Sequence, residues 1–154
     1  FYTFKTFKLF DEDVIISRTG YTGELGYEII GSHLAIKQIW KILIKRHFIT
    51  ACGLAVRDIL RIEMKYCLYG NDLSDDINPI QAGLKWVVDL SKEHFIGKKC
   101  IEQEIKHPSR RLVCFKMLER SIPRKGYEIF SSDGDQIGHV TSGTLSPSLK
   151  RAGK

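Results

Sequence analysis

The residues most able to do chemistry surround a glycine-punctuated loop, Gly20-x-x-Gly23-x-x-Gly26, with Tyr21 near its start and Glu28 just beyond its end. Glu28 stands between Tyr27 and Ile29 in an apolar stretch. Its carboxylate either faces water on a half-exposed strand or points inward. An inward carboxylate needs a hydrogen-bond donor or a cation, because an unpaired buried charge is costly. Arg57 poses the same choice between a helix-surface arginine with a local partner and a planar, permanently charged donor aimed into a pocket. Tyr66 and Tyr69 lie three apart beside Gly70, where an aromatic ring either finishes a core or faces a ligand. The glycine spacing is not GxGxxG, and the residues after it read as strand. No helix N-terminus is therefore on hand to hold a pyrophosphate.

Metal chemistry is not expected. Asp72, Asp75 and Asp76 lack the spacing and the turn glycine of an EF-hand, and caps and turns explain them better. His33, His47, His94, His107 and His139 are scattered, with no pair at ligand spacing. Cys52, Cys67, Cys100 and Cys114 form no CxxC pair, which speaks against a zinc ribbon or an iron–sulfur loop. Free thiols in a reducing compartment are the simplest reading. No nucleophile and base are paired locally.

The elements that must position these residues are mixed. Phe1 to Phe10 alternates aromatic and polar residues and reads as a strand entered midway, without signal-peptide character. Val14–Ile16 and Tyr27–Ile30 read as strands on either side of the glycine loop. From Ser32, a plausible N-cap, Leu34, Ile36, Ile39, Trp40 and Leu43 fall at helical spacing, and this helix is expected to end near His47. A shorter helix fits Leu54–Glu63, with Val56, Ile59 and Leu60 inward and Arg57 and Arg61 sharing a face. Leu84–Leu90 alternates imperfectly and reads as a strand. A boundary is expected near His107-Pro108-Ser109, followed by short strands at Leu112–Phe115, Tyr127–Phe130 and Gln136–Thr141, with Ser131–Asp135 as a hairpin connection.

With 154 residues, 43% hydrophobic and 27% charged, the chain is long enough to bury a core without disulfides. No apolar run approaches the roughly 20 residues of a membrane span, so no membrane association is expected. The net charge of +6 arises entirely from residues 92–125, which carry ten basic against four acidic side chains. Such a segment attracts anions: nucleic acid, an acidic protein, a polyglutamate tail, or solvent counter-ions alone. No nucleic-acid recognition motif accompanies it, so nucleic acid is not expected as a partner. Unaided, these patterns reach an α+β protein with a basic segment.

The ordered motifs go further. Ile16-Ser17-Arg18-Thr19-Gly20-Tyr21-Thr22-Gly23-Glu24-Leu25-Gly26-Tyr27-Glu28-Ile29 leads the series. Next come Cys52-Gly53-Leu54-Ala55-Val56-Arg57-Asp58-Ile59-Leu60-Arg61-Ile62-Glu63 and Leu68-Tyr69-Gly70-Asn71-Asp72-Leu73. Asn78-Pro79-Ile80-Gln81-Ala82-Gly83-Leu84, Phe95-Ile96-Gly97-Lys98, Ile122-Pro123-Arg124-Lys125-Gly126 and Gly138-His139-Val140-Thr141-Ser142-Gly143-Thr144-Leu145-Ser146-Pro147 complete it. Together, in this order, they resemble the tetrahydrofolate-dependent aminomethyltransferases, the T proteins of the glycine cleavage system, over nearly the whole chain.

That resemblance implies an α+β fold: the later part of a folate-binding aminomethyltransferase domain over residues 1–107, then the start of a C-terminal β-barrel over 108–154. It implies transfer of a one-carbon unit from the aminomethyl-lipoyl group of a partner H protein to tetrahydrofolate as substrate, with release of ammonia and no metal. By position, Glu28 resembles the carboxylate that recognises the pteridine, Arg57 the arginine that contacts the folate, and Tyr21 and Tyr69 tyrosines that border the cleft. Tyr66 falls where the family usually has an aliphatic residue or Met and receives no role. The family's catalytic aspartate belongs to an N-terminal portion not matched here, and the family continues past the Ser-Gly-Thr-x-Ser-Pro motif. The isolated chain is therefore expected to lack turnover. The implied compartment is the cytoplasm for a bacterial protein and the mitochondrion for a eukaryotic one. A non-enzymatic folate-binding relative that supports iron–sulfur enzymes shares the fold but carries a cysteine before the glycine of its signature. Here that region reads Lys92-Glu93-His94-Phe95-Ile96-Gly97-Lys98. The folate domain of a dimethylglycine- or sarcosine-oxidising enzyme is the other alternative.

Overall fold

A computed structural model describes residues 1–45, 49–149 and 151–153, and side chains up to residue 149 within those ranges. The chain forms two compact units, Phe1–Met64 and Lys65–Lys154.

In the first unit, β1 (Phe4–Leu9) and β2 (Glu12–Ser17) pair antiparallel from Phe4↔Ser17 to Leu9↔Glu12. The connection is the two-residue turn Phe10-Asp11, both at positive φ (55° and 62°). That is the hairpin turn whose twist matches its strands, held here without a glycine. β3 (Glu28–Ile30) adds to the other edge of β2, with Ser17 opposite Glu28. Val14, at the centre of β2, is fully buried.

Helix α1 (His33–Lys45) begins as expected. The Ser32 hydroxyl accepts the Ala35 N–H at 3.2 Å, and the Ser32 carbonyl accepts the Ile36 N–H at 3.0 Å. The expected end near His47 lies outside the described residues. Helix α2 (Leu54–Glu63) has the expected span but not the expected inner face. Residues 54–57 are all exposed, so the first turn stands clear of the core. Burial starts a turn later, at Arg61 and Ile62, with Ile59 and Leu60 half-buried and Val56 outside. A guanidinium can be buried there because Arg61 Nε and Nη2 each lie 2.7 Å from Asp58 Oδ1, one turn back.

The second unit opens with a tight turn. The Asn71 and Asp72 N–H groups donate to the Leu68 carbonyl, and the Gly70 N–H, with Gly70 at φ +84°, donates to the Leu73 carbonyl. The segment expected as a strand at Leu84–Leu90 is instead a 3-10 turn, Lys85–Val87. Its bonds are local, Val87 N–H to the Leu84 carbonyl and Val88 N–H to the Lys85 carbonyl. Trp86 is 78% exposed, and among the described residues no strand pairs with this segment. Helix α3 (Lys98–Lys106) starts from Gly97 at φ +86° and buries Ile101. No expectation covered it. Leu112–Phe115 is not a strand either, and the Leu112 N–H donates to the Gln81 carbonyl.

β4 (Glu128–Phe130) and β5 (Gln136–His139) form the expected antiparallel hairpin, with an irregularity at Ile129/Phe130. The Ser131–Asp135 turn closes as the Ser131 N–H donates to the Asp135 carbonyl. β6 (Thr144–Ser146) pairs antiparallel with β7 (Arg151–Gly153). The mixture of helices and small antiparallel sheets is the α+β composition read from the sequence.

Candidate functional site

The loop between β2 and β3 is held at both ends and in the middle. At its far end Arg18 Nη1 donates to the Gly26 carbonyl at 3.0 Å, and the Arg18 guanidinium lies 4.6 Å from the Tyr27 ring centroid. In the middle Gly23 sits at φ +79°, and a Cβ there would collide with the Met64 side chain beyond α2. The positive φ favours glycine, and any larger residue would also require the flexible end of Met64 to shift.

Glu28 opens β3 half-buried, and it has the donor that an inward carboxylate requires. The Thr19 hydroxyl donates to Glu28 Oε2. Thr19 has one proton to give, so the 2.9 Å contact between Ser17 Oγ and Thr19 Oγ1 has Ser17 as its donor. The chain Ser17→Thr19→Glu28 is built by the register that sets Ser17 opposite Glu28.

The same loop carries Tyr21 to α2. The Arg57 guanidinium lies over the Tyr21 ring at 4.9 Å, a contact worth about 0.5–1 kcal/mol at an exposed position. It orients an otherwise mobile arginine in the exposed first turn of the helix. The structure thus joins Tyr21 to Arg57, and Glu28 to Thr19, around one loop. The arrangement offers a fixed carboxylate acceptor, an aromatic face and an oriented cation.

Tyr69 belongs to the second unit. It is exposed, and its hydroxyl donates to Asp75 Oδ1 at 2.6 Å. That hydrogen bond, then partial burial and the charge of Asp76, push the phenol above its ordinary range. The expectation that Asp72, Asp75 and Asp76 serve caps and turns holds only in part. Asp72 is 1% exposed and accepts from Leu68 N–H at 3.1 Å, Thr141 Oγ1 at 2.5 Å and Ser142 Oγ at 2.9 Å. Sequence spacing gave no signal for Thr141 or Ser142, some seventy positions away. Ser17, Thr19 and Arg18 were readable only as members of the first motif.

A cavity of about 480 Å³ also lies within the second unit, walled by Leu112, Phe115, Ile129, Ile137 and Val140 with Arg110 and His139 at its polar side. Among the described residues no three His, Cys, Asp or Glu side chains gather as for a metal ion. No described helix is long and apolar enough to cross a membrane.

The family description "GCVT N-terminal domain" matches residues 1–92, and "Glycine cleavage T-protein C-terminal barrel domain" matches residues 110–152. The chain belongs to the glycine cleavage T-protein family. Two relatives named aminomethyltransferase are each 47% identical to it. The one from Chlorobium chlorochromatii aligns over 90% of this chain and 38% of its own length. The one from Halothermothrix orenii aligns over 97% of this chain and 43% of its own. The crystal structure of glycine cleavage system aminomethyltransferase T from Bartonella henselae superposes with a TM-score of 0.86 at 38% identity, over 91% of this chain and 40% of that one. This T-protein family chain therefore spans about two-fifths of the length of the relatives it matches. The family resemblance read from the ordered motifs holds.

Proposed function

We propose that this chain supplies the folate-recognising part of an aminomethyltransferase of the glycine cleavage system. The whole protein would move the one-carbon unit from the aminomethyl-lipoyl arm of the H protein to tetrahydrofolate and release ammonia. The folate-side portion would run over residues 1–107 and the barrel portion over 108–154. The observation that carries the reading is Glu28, held at the mouth of β3 by Thr19 beside a loop that also presents the Tyr21–Arg57 stack.

Thr19 engages Oε2, which leaves Oε1 to accept from the adjacent N–H groups of a pteridine. Tyr21 would give the flat ring system an aromatic face, with Tyr69 as a second tyrosine bordering the cleft. Arg57, always charged, would meet an acidic part of the folate. The task of these groups is orientation: holding N5 of tetrahydrofolate against the incoming carbon, a contribution that reaches roughly 7–11 kcal/mol in model reactions.

Calorimetric titration with tetrahydrofolate should show binding by this chain that Glu28→Ala abolishes. Equal affinity in the two proteins would remove Glu28 from the site. We further infer that the 154 residues alone do not turn over, since the resemblance assigns the family's catalytic aspartate to none of them. Ammonia release from aminomethylated H protein and tetrahydrofolate on adding this chain alone would overturn that.

A further inference from the structure

The three aspartates after Tyr69 are not equivalent. Asp75 and Asp76 are exposed, whereas Asp72 is buried to 1% and has both carboxylate oxygens engaged. One set of donors is local: the Leu68 N–H at 3.1 Å to Oδ2 closes the turn that carries Tyr69 and Gly70. The other set is remote: Thr141 Oγ1 at 2.5 Å and Ser142 Oγ at 2.9 and 3.0 Å. Thr141 and Ser142 are themselves fixed. A Cβ at the next residue, Gly143, would collide with the Pro123 carbonyl, so the backbone there is pressed against the buried Pro123. A second tie comes from Lys125, whose Nζ donates to the Gly70 carbonyl and to Asn71 Oδ1. The turn is therefore gripped by segments more than fifty residues away in sequence, while Tyr69 within it stays exposed, its hydroxyl on Asp75.

We propose that Asp72 is a positioning residue: its carboxylate, clamped by Thr141 and Ser142, fixes the Leu68–Leu73 turn and so sets where Tyr69 presents its ring. The consequence for folate rests on the reading of Tyr69 as a cleft tyrosine. Charge-assisted hydrogen bonds are the strong ones, and a buried carboxylate that loses a donor cannot replace it with water. Thr141→Val keeps the side-chain shape and removes one donor, Thr141→Ser keeps the donor, and Asp72→Asn keeps the shape and removes the charge.

The test compares these three variants and Tyr69→Phe in the 154-residue chain by hydrogen exchange, by the alkaline absorbance titration of Tyr69 and by tetrahydrofolate calorimetry. The Tyr69 titration is taken as the difference between each protein and its Tyr69→Phe counterpart. In Thr141→Val and Asp72→Asn, amides of residues 68–73 should exchange about tenfold faster, the equivalent of one lost hydrogen bond. Amides of β1–β3 should be unchanged, Tyr69 should titrate closer to an ordinary phenol, and folate affinity should fall several-fold. Thr141→Ser should match the parent in all three. Unchanged exchange and titration, or an equal rise in exchange along the whole chain, overturns the proposal. A loosened turn and a shifted Tyr69 titration, with folate affinity unaltered there and in a Tyr69→Ala variant that removes the ring, sustains the hold of Asp72 on the turn and overturns the folate role of Tyr69 instead.

Discussion

Glu104, on α3, collects donors that no local motif announces. Its Oε1 accepts the Ser109 N–H at 2.7 Å and the Ser109 hydroxyl at 2.9 Å, and its Oε2 accepts from Asn78 and Gln81, each at 3.3 Å. The Ser109 N–H and hydroxyl, with smaller help from Asn78 and Gln81, hold the carboxyl below the usual carboxylate range against an opposing effect of burial. A carboxyl whose folded value is depressed contributes stability above its unfolded value and loses it as pH falls through the folded one. Ser109→Ala removes the hydroxyl donor and keeps the N–H, so part of the depression should go. Acid unfolding followed by circular dichroism should then begin at higher pH in the variant, with the difference between the proteins full at neutral pH and vanishing below the folded value. Carbon-13 titration of the Glu104 carboxyl checks the cause directly: an unmoved titration in Ser109→Ala would refute it.

At the scale of elements, the β2–β3 loop of the first unit meets the end of α2 at Gly23 and Met64. Gly23→Ala meets both a positive φ and the Met64 side chain, and strain of that kind costs about 1–3 kcal/mol. Urea unfolding should place Gly23→Ala lower in stability by that amount, and adding Met64→Ala should recover the steric part only. A stability equal to the parent would mean that the loop can yield, and its hold on Tyr21 and Glu28 would be weaker than described. The loop was legible in sequence because glycine spacing is local, and α2 because its apolar period runs ten residues. Elements settled by distant partners were not. Leu84–Leu90 alternates like a strand but pairs with none among the described residues, and Leu112–Phe115 forms no strand, its Leu112 N–H bonded to the Gln81 carbonyl. α3 escaped notice because Ile101 and Ile105 alone mark its apolar face, amid Lys98, Lys99, Glu102 and Glu104. In the candidate site the same division holds: Glu28, Arg57 and Tyr21 stood out by motif, whereas Thr19 as the donor to Glu28, and Asp72 with Thr141 and Ser142, emerge only from pairing register and long-range packing.

For the molecule as a whole, the basic segment and the barrel-matched sheets point in different directions. Part of the excess charge is committed internally: Lys98 Nζ donates to the Leu90 and Lys92 carbonyls, Arg110 to Gln81 and the Asp76 carbonyl, and Lys125 to the Tyr69 turn. The remainder lies exposed and repels a second copy of the chain at long range, an effect that salt screens beyond a Debye length of about 8 Å at physiological ionic strength. At short range the balance reverses. Among the described residues β5 pairs only with β4 and β6 only with β7, so each two-stranded sheet keeps unpaired edges. Near those edges Phe130, Ile137 and Leu145 are exposed, Ile137 to 66%. Unpaired backbone beside exposed apolar side chains is a template for strand addition. The chain should therefore self-associate with rising concentration, and more strongly as salt screens the repulsion. Sedimentation velocity across a concentration series at low and at physiological salt tests both signs, and Ile137→Lys should suppress the association by placing a charge on the edge. A monomer at every concentration and salt would mean that these edges are protected, while association that weakens with salt would assign it to charge pairing instead of the sheet.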